Sequence, residues 1–213
     1  MNRSPDDLID ALALDLSPVK PLRAWQGLAL VAISALASVL LVELLDGIWR
    51  GIANGEASPE FFLANGMLGL AGAAASLAVV RMARPRVGNS PQGARWSTAM
   101  LALLPVTALA VLGAGGLGDA LFQDPYGPHC ALAAAAFGLF TAAALVAWLR
   151  RGAPVSLKAA GTYTGVAAGS LGSLAYGLAC PLDSIGHLGV WHVAPVVLMA
   201  LAGRVAIPPL VRW

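Results

Sequence analysis

The sequence predicts an all-α polytopic membrane protein, a bundle of six transmembrane helices with both termini in the cytoplasm. Three observations predict it. Hydrophobic residues make up 58% of the 213-residue chain and charged ones only 11%, with a mean hydropathy of +0.76. A soluble domain carries about 25% charged residues, so this chain has too few to coat a soluble surface. The apolar residues also fall into six runs close to the ~20 residues that cross the hydrocarbon as a helix. Finally, twelve of the 13 Lys and Arg residues lie on alternate connections, the positive-inside pattern. With 24 glycines and only 7% aromatics, the helices are expected to pack closely through small residues rather than form a barrel.

Residues 1–23 are polar and are expected to lie in the cytoplasm. Ser4 can cap a helix with Pro5 at its first position, and Asp6 and Asp7 then favour the positive end of the dipole. Leu8, Leu12 and Leu16 recur every four residues with Ile9 beside them, making one apolar stripe. Pro18 and Pro21 end it. Acids precede the apolar run, so this is no signal peptide. The polar face holds Asp6, Asp7, Asp10 and Asp15, which suits anionic lipid poorly and a protein partner better. The stripe is therefore the expected docking surface for a soluble partner.

Residues 24–208 are read as the six-helix membrane domain, with 209–213 as a cytoplasmic tail. The spans fall at about residues 25–45, 61–80, 98–117, 130–149, 157–179 and 188–207. Pro105 is expected to kink the third and Pro195 lies in the outer third of the sixth. Glu43 is the only carboxylate expected within the hydrocarbon. The inner side collects Arg3, Lys20, Arg23, Arg81, Arg84, Arg86, Arg95, Arg150, Arg151, Lys158, Arg204 and Arg212, and the outer side has only Arg50. Both cysteines, all three histidines and most acids fall on that outer side.

The outer chemistry concentrates in two connections. One reads Ala-Cys-Pro-Leu-Asp-Ser-Ile-Gly-His-Leu-Gly-Val-Trp-His and contains Cys180, Asp183, His187 and His192. The other places His129 directly before Cys130. In a bacterial plasma membrane this face meets an oxidising compartment, so the cysteines read as a redox or metal switch between two hairpins. A free cysteine can also be merely a small buried hydrophobe. A disulfide needs Cα atoms within about 7 Å, which the topology permits. Thiolate with imidazole suits zinc, copper and related metals, so Cys130, Cys180, His129, His187, His192 and Asp183 are the candidate ligands. No paired Cys-x-x-Cys is present. Trp191-His192 reads equally well as an interfacial anchor. No resident cofactor is expected, only a transient soft metal ion.

Other classes fit less well. A small transporter or metal-efflux component would carry ionisable groups near the midplane, and none is seen. A membrane thiol oxidoreductase usually carries Cys-x-x-Cys. No Ser-His-Asp spacing, phosphate loop or His-Glu-x-x-His appears, so the chain is not read as an enzyme.

The opening Asp-Leu-Ile-Asp-Ala-Leu-Ala-Leu-Asp-Leu-Ser-Pro-Val-Lys-Pro-Leu resembles the NrsF-type membrane anti-sigma factors. So do the six spans, the outer cysteine before span four, and Ala-Cys-Pro-Leu-Asp followed by Trp-His. The likeness covers essentially the whole chain. It implies a multi-pass protein of the bacterial inner membrane that sequesters an extracytoplasmic-function sigma factor and frees it under heavy-metal or oxidative stress. It also implies that Cys130 and Cys180 detect the signal. On this reading the partners are the sigma factor and the bilayer, with no direct nucleic-acid contact; the oligomeric state stays open.

Overall fold

A computed structural model of the chain describes residues 5–14, 21–85, 91–115 and 124–212. Ser4, Leu16, Lys20 and Arg86, and the side chains of Leu8 and Leu12, lie outside the described residues. Every regular element among the described residues is helical. α1 (Pro5–Leu14) starts at Pro5 and carries Asp6 and Asp7 in its first turn, as the dipole favours. α2 (Ala24–Leu45) is followed by a short turn, α3 (Gly51–Asn54). α4 (Pro59–Met82) begins where the Ser58 hydroxyl accepts the Phe61 amide, with proline in the first turn.

The third span is broken. α5 (Gln92–Leu101) and α6 (Leu103–Gly115) meet at Ala102. Pro105 has no N–H for the Leu101 carbonyl, so the interruption falls one turn upstream of the proline. The helix also starts about six residues before the expected position. α7 (Gly127–Leu149) and α8 (Leu157–Gly177) follow, the second capped by the Ser156 hydroxyl on the Ala159 amide.

The sixth span splits as well, into α9 (Ile185–Trp191) and α10 (Ala194–Leu210). Pro195 cannot donate to the Trp191 carbonyl, and the helix stops there and restarts. α10 continues through Pro208 and Pro209, past the expected edge of the membrane domain.

Among the described residues, five helical stretches are long and apolar enough to cross a membrane: Ala24–Leu45, Pro59–Met82, Gln92–Val111, Gly127–Leu149 and Ile185–Leu210. The expectation was six. The remaining candidate, α8, is 21 residues long but carries Gly161, Gly165, Gly169, Gly172 and Gly177 with Ser170 and Ser173, and it falls short in apolarity.

That composition suits its place. α8 is the central helix, packed antiparallel against α4, α7 and α10. A Cβ on Gly165 would overlap the Met199 carbonyl oxygen, and one on Gly172 would overlap the carbonyl of Ala134. The backbones therefore touch, which only glycine allows. Side-chain bonds join other helices: the Ser38 hydroxyl donates to the Phe137 carbonyl at 2.9 Å, and Trp148 Nε1 donates to the Val80 carbonyl at 3.2 Å.

The bundle has two chemically different ends. At one, Arg84 donates to the Leu22 carbonyl and the Ala153 amide donates to the Ala83 carbonyl, so the basic connections meet there. At the other, the Trp49 amide donates to the Leu178 carbonyl, and Asp183 meets Ser58. Large apolar side chains such as Leu36, Leu40, Leu132, Leu139, Leu201 and Val205 face outward between the ends.

Candidate functional site

The end opposite the basic connections gathers the soft-ligand residues. Cys130 lies in the first turn of α7, and Cys180 lies in the non-helical stretch just beyond α8. His187 sits in the first turn of α9, where the Ser184 hydroxyl accepts its amide, and His192 closes the far end of that helix. A short α9 of seven residues thus holds both histidines against both cysteines. Gly127 fixes the register: a Cβ there would run into the Trp191 indole, so the start of α7 seats directly on the end of α9.

The resulting cluster is compact and buried. Cys130 Sγ lies 3.9 Å from Cys180 Sγ, and Cys180 Sγ lies 3.5 Å from His187 Nε2. One ligand atom from each of Cys130, Cys180, His187 and His192 falls within 4.8 Å of every other. All four residues are buried, His192 completely. Both cysteines are free thiols. Neither ring nitrogen of His192 has a hydrogen-bond partner. A buried polar group left so is unfavourable by about 1–3 kcal/mol.

Asp124 organises the cluster from outside. Its Oδ1 accepts the amides of Tyr126 (3.1 Å) and Gly127 (3.0 Å), which fixes the entry into α7. Its Oδ2 lies 2.6 Å from His187 Nδ1. With Nδ1 held by the carboxylate, Nε2 is turned toward Cys180. The Cys180 thiol is held below the ordinary thiol range. The hydrogen bond with Cys130 is the largest cause; burial opposes it, and the nearness of the His187 and His192 rings adds to it.

An open cleft of about 390 Å³ leads to the two sulfurs between Tyr126, His129, Tyr176 and Pro181. A water molecule occupies about 30 Å³ of liquid, so the cleft admits a hydrated ion or a small oxidant.

Four of the six candidate ligands therefore converge, and two do not. His129 is exposed on the rim, edge-on to Tyr176 at 6.0 Å between ring centroids. Its neighbour Cys130 turns inward because adjacent residues at a helix start point to different faces. Asp183 faces the other way: its Oδ2 accepts the Ser58 amide at 2.9 Å and its carbonyl accepts the Ser58 hydroxyl at 3.3 Å. It ties the connection to α4. His192 is no interfacial anchor, since the break before Pro195 turns its ring into the bundle, where it stacks on Tyr176.

Asp124 was missing from the sequence reading. The signal for it was local: an acid just before Pro125-Tyr126-Gly127 is well placed to accept the first amides of a helix. Of the apolar stripe on α1, Ile9 is 61% exposed. Glu43 folds back to accept the Ile48 amide at the end of α2.

Comparison with known proteins bears on this arrangement. The family described as NrsF, negative regulator of sigma F, matches residues 12–213. The chain is 32% identical over 231 residues to the anti-sigma-F factor NrsF of Caulobacter vibrioides, covering 98% of this chain and 99% of that protein. It is 24% identical over 211 residues to a probable anti-sigma-F factor NrsF of Azospira oryzae, again covering 98% and 99%. No solved structure matches the chain.

Proposed function

This chain belongs to the NrsF family, negative regulators of sigma F, and on that premise we propose that it is a six-span anti-sigma factor of the bacterial inner membrane. The family is a regulatory class and not an enzymatic one. In this reading the protein holds an extracytoplasmic-function sigma factor at the cytoplasmic face, and heavy-metal or oxidative stress acting on Cys130 and Cys180 releases it. The observation that carries the reading is the position of those thiols, 3.9 Å apart at the end of the bundle away from the basic connections.

Five apolar helices support the membrane location. The remaining span is α8, the fifth in chain order, whose glycines and serines face protein rather than lipid. The basic end is cytoplasmic by the positive-inside pattern and brings both termini there. The docking surface is the stripe Leu8, Ile9, Leu12 and Leu16, and the acids beside it suit a basic partner surface.

Signal transfer follows from the packing. Cys130 starts α7 and Cys180 follows α8, and these antiparallel helices return to the basic end with their backbones in contact. A bond formed between the thiols, or a cation held by them, changes the spacing of two helix ends whose close packing transmits it. Moving a population from about 1:99 to 99:1 needs ~5.5 kcal/mol of differential affinity. Metal–thiolate or disulfide bonding supplies energy on that scale.

The test is transcription from a promoter dependent on the sigma factor, measured with and without cadmium or an oxidant. Cys130→Ser with Cys180→Ser should stay in the membrane, retain the sigma factor on co-purification, and keep the promoter silent under stress. A normal induced response would remove the cysteines from the mechanism. Failure of any sigma factor to co-purify with the unstressed protein would remove the function itself.

A further inference from the structure

We infer that Cys130, Cys180, His187 and His192 form one closed, four-coordinate site for a zinc-type divalent cation, with Asp124 as the positioning group behind His187. The inference deepens the sensing reading above, on which its placement at the outer face rests. It names the ligand set and the coordination chemistry.

Geometry carries it first. Four ligands at tetrahedral corners, with metal–sulfur bonds of about 2.3 Å and metal–nitrogen bonds of about 2.0–2.1 Å, place the sulfurs about 3.8 Å apart and sulfur about 3.6 Å from nitrogen. The observed separations are 3.9 Å for Cys130 Sγ to Cys180 Sγ and 3.5 Å for Cys180 Sγ to His187 Nε2. Two sulfurs in van der Waals contact would also sit near that spacing, so the pair alone decides nothing. The other corners add weight: all four ligand atoms lie within 4.8 Å of one another, close enough for side-chain adjustment to bring them to one ion.

Unmet bonding is the second observation. His192 is fully buried with both ring nitrogens unpartnered. The ring packs on Tyr176 and edge-on to His187, contacts that an apolar ring would make without burying two polar atoms. A cation between the sulfurs and the rings takes up one of those nitrogens.

The third observation is the second layer. Metal-binding histidines usually donate their other ring N–H to a carboxylate, which fixes the tautomer and raises ligand basicity. His187 has that arrangement, with Nδ1 2.6 Å from Asp124 Oδ2 and Nε2 turned toward the thiols. Binding releases the thiol protons to solvent, because the ligand form of cysteine is the thiolate. Two thiolates and two imidazoles at tetrahedral corners select a d¹⁰ ion of borderline softness over magnesium, calcium or manganese.

The experiment uses the purified full-length chain in detergent, reduced, stripped with chelator and titrated anaerobically with Co²⁺. The expected result is one Co²⁺ per chain, with the visible bands of four-coordinate cobalt and a sulfur-to-cobalt charge-transfer band, both erased by Zn²⁺. His192→Gln should keep the charge transfer, lose the four-coordinate visible bands, and bind at least tenfold more weakly. His192→Cys should restore four-coordination with stronger charge transfer, which separates a lost ligand from a lost fold. His129→Gln and Asp183→Asn should bind as the wild type does. The assignment is overturned if the wild type gives no four-coordinate spectrum, if His192→Gln matches the wild type, or if His129→Gln loses as much as His192→Gln. The stress-reporter measurement stands apart. Cobalt binding without a transcriptional role for the cysteines leaves this site and removes the sensing reading; a cysteine-dependent response without cobalt binding does the reverse.

Discussion

Asp124 Oδ2 and His187 Nδ1 meet at 2.6 Å across 63 residues of sequence, while the other oxygen of the same carboxylate holds the first amides of α7. One side chain thus sets both the entry angle of the helix carrying Cys130 and the orientation of an imidazole facing Cys180. Replacing it separates the two roles. Asp124→Asn keeps acceptor capacity toward the amides and loses the charge behind His187. Cobalt affinity should fall about 10–100-fold, with the band positions unchanged. Titration of the purified variant against the wild type checks this, and an unchanged affinity would place Asp124 outside the site.

The two thiols should differ in reactivity. Cys180 is held below the ordinary thiol range by its hydrogen bond with Cys130 and then by the histidines. A depressed thiol keeps its anion as pH falls below the usual value near 8.5, whereas an ordinary thiol loses reactive anion about tenfold per unit. Alkylation of the metal-free protein, resolved by peptide mass spectrometry, should therefore stay nearly level for Cys180 from pH 8 down to pH 6.5. A tenfold or greater fall for Cys180 would contradict its assignment as the activated thiol.

Close helix approach makes a sharp mutational contrast. Gly161 and Gly203 face one another across α8 and α10, each with the other's carbonyl where a Cβ would go. Gly161→Leu should destabilise the bundle by at least about 1–3 kcal/mol, the range for overpacking a filled core. Gly66 has open space at the same position. Gly66→Ala should be neutral or stabilising by up to about 1 kcal/mol. Unfolding in mixed detergent reads both, and equal effects would mean that the α8–α10 contact is looser than drawn.

The α1 stripe gives a cytoplasmic prediction. Leu8→Asp with Leu12→Asp should switch on sigma-dependent transcription in unstressed cells. Buried anchors in such a groove are worth ~2 kcal/mol or more each. Silence of the promoter in this variant would move the docking surface elsewhere, with the arginine-rich connection between α4 and α5 the next place to look.

Much of the architecture was legible in the chain. The helix start at Pro5 followed from a proline after a capping residue and that at Leu157 from its apolar run, while the start at Pro59 falls two residues before the expected edge. The break near Pro105 is legible in kind but not in place, and the one before Pro195 is not read from the chain, because each proline disturbs a carbonyl four residues earlier. Cys130, Cys180 and His187 could be suspected from composition. Asp124 and the inward turn of His192 could not, since both depend on the seating of α9 against α7, which is a tertiary relationship. His129 stays on the rim for a simple reason: sequence adjacency to Cys130 puts it on a different face of the same helix turn.

The low apolarity of α8 has a consequence for biogenesis. A translocon judges each segment by its own partitioning into lipid, and a helix with five glycines and two serines partitions poorly by itself. On the six-span reading, α8 must be retained by its neighbours rather than by lipid. Its most extensive packing is against α10, which is synthesised after it. A nascent chain truncated before Ala194 would thus present a central helix with no partner on one side, and membrane quality-control proteases should clear it faster than a chain truncated before α8 is made.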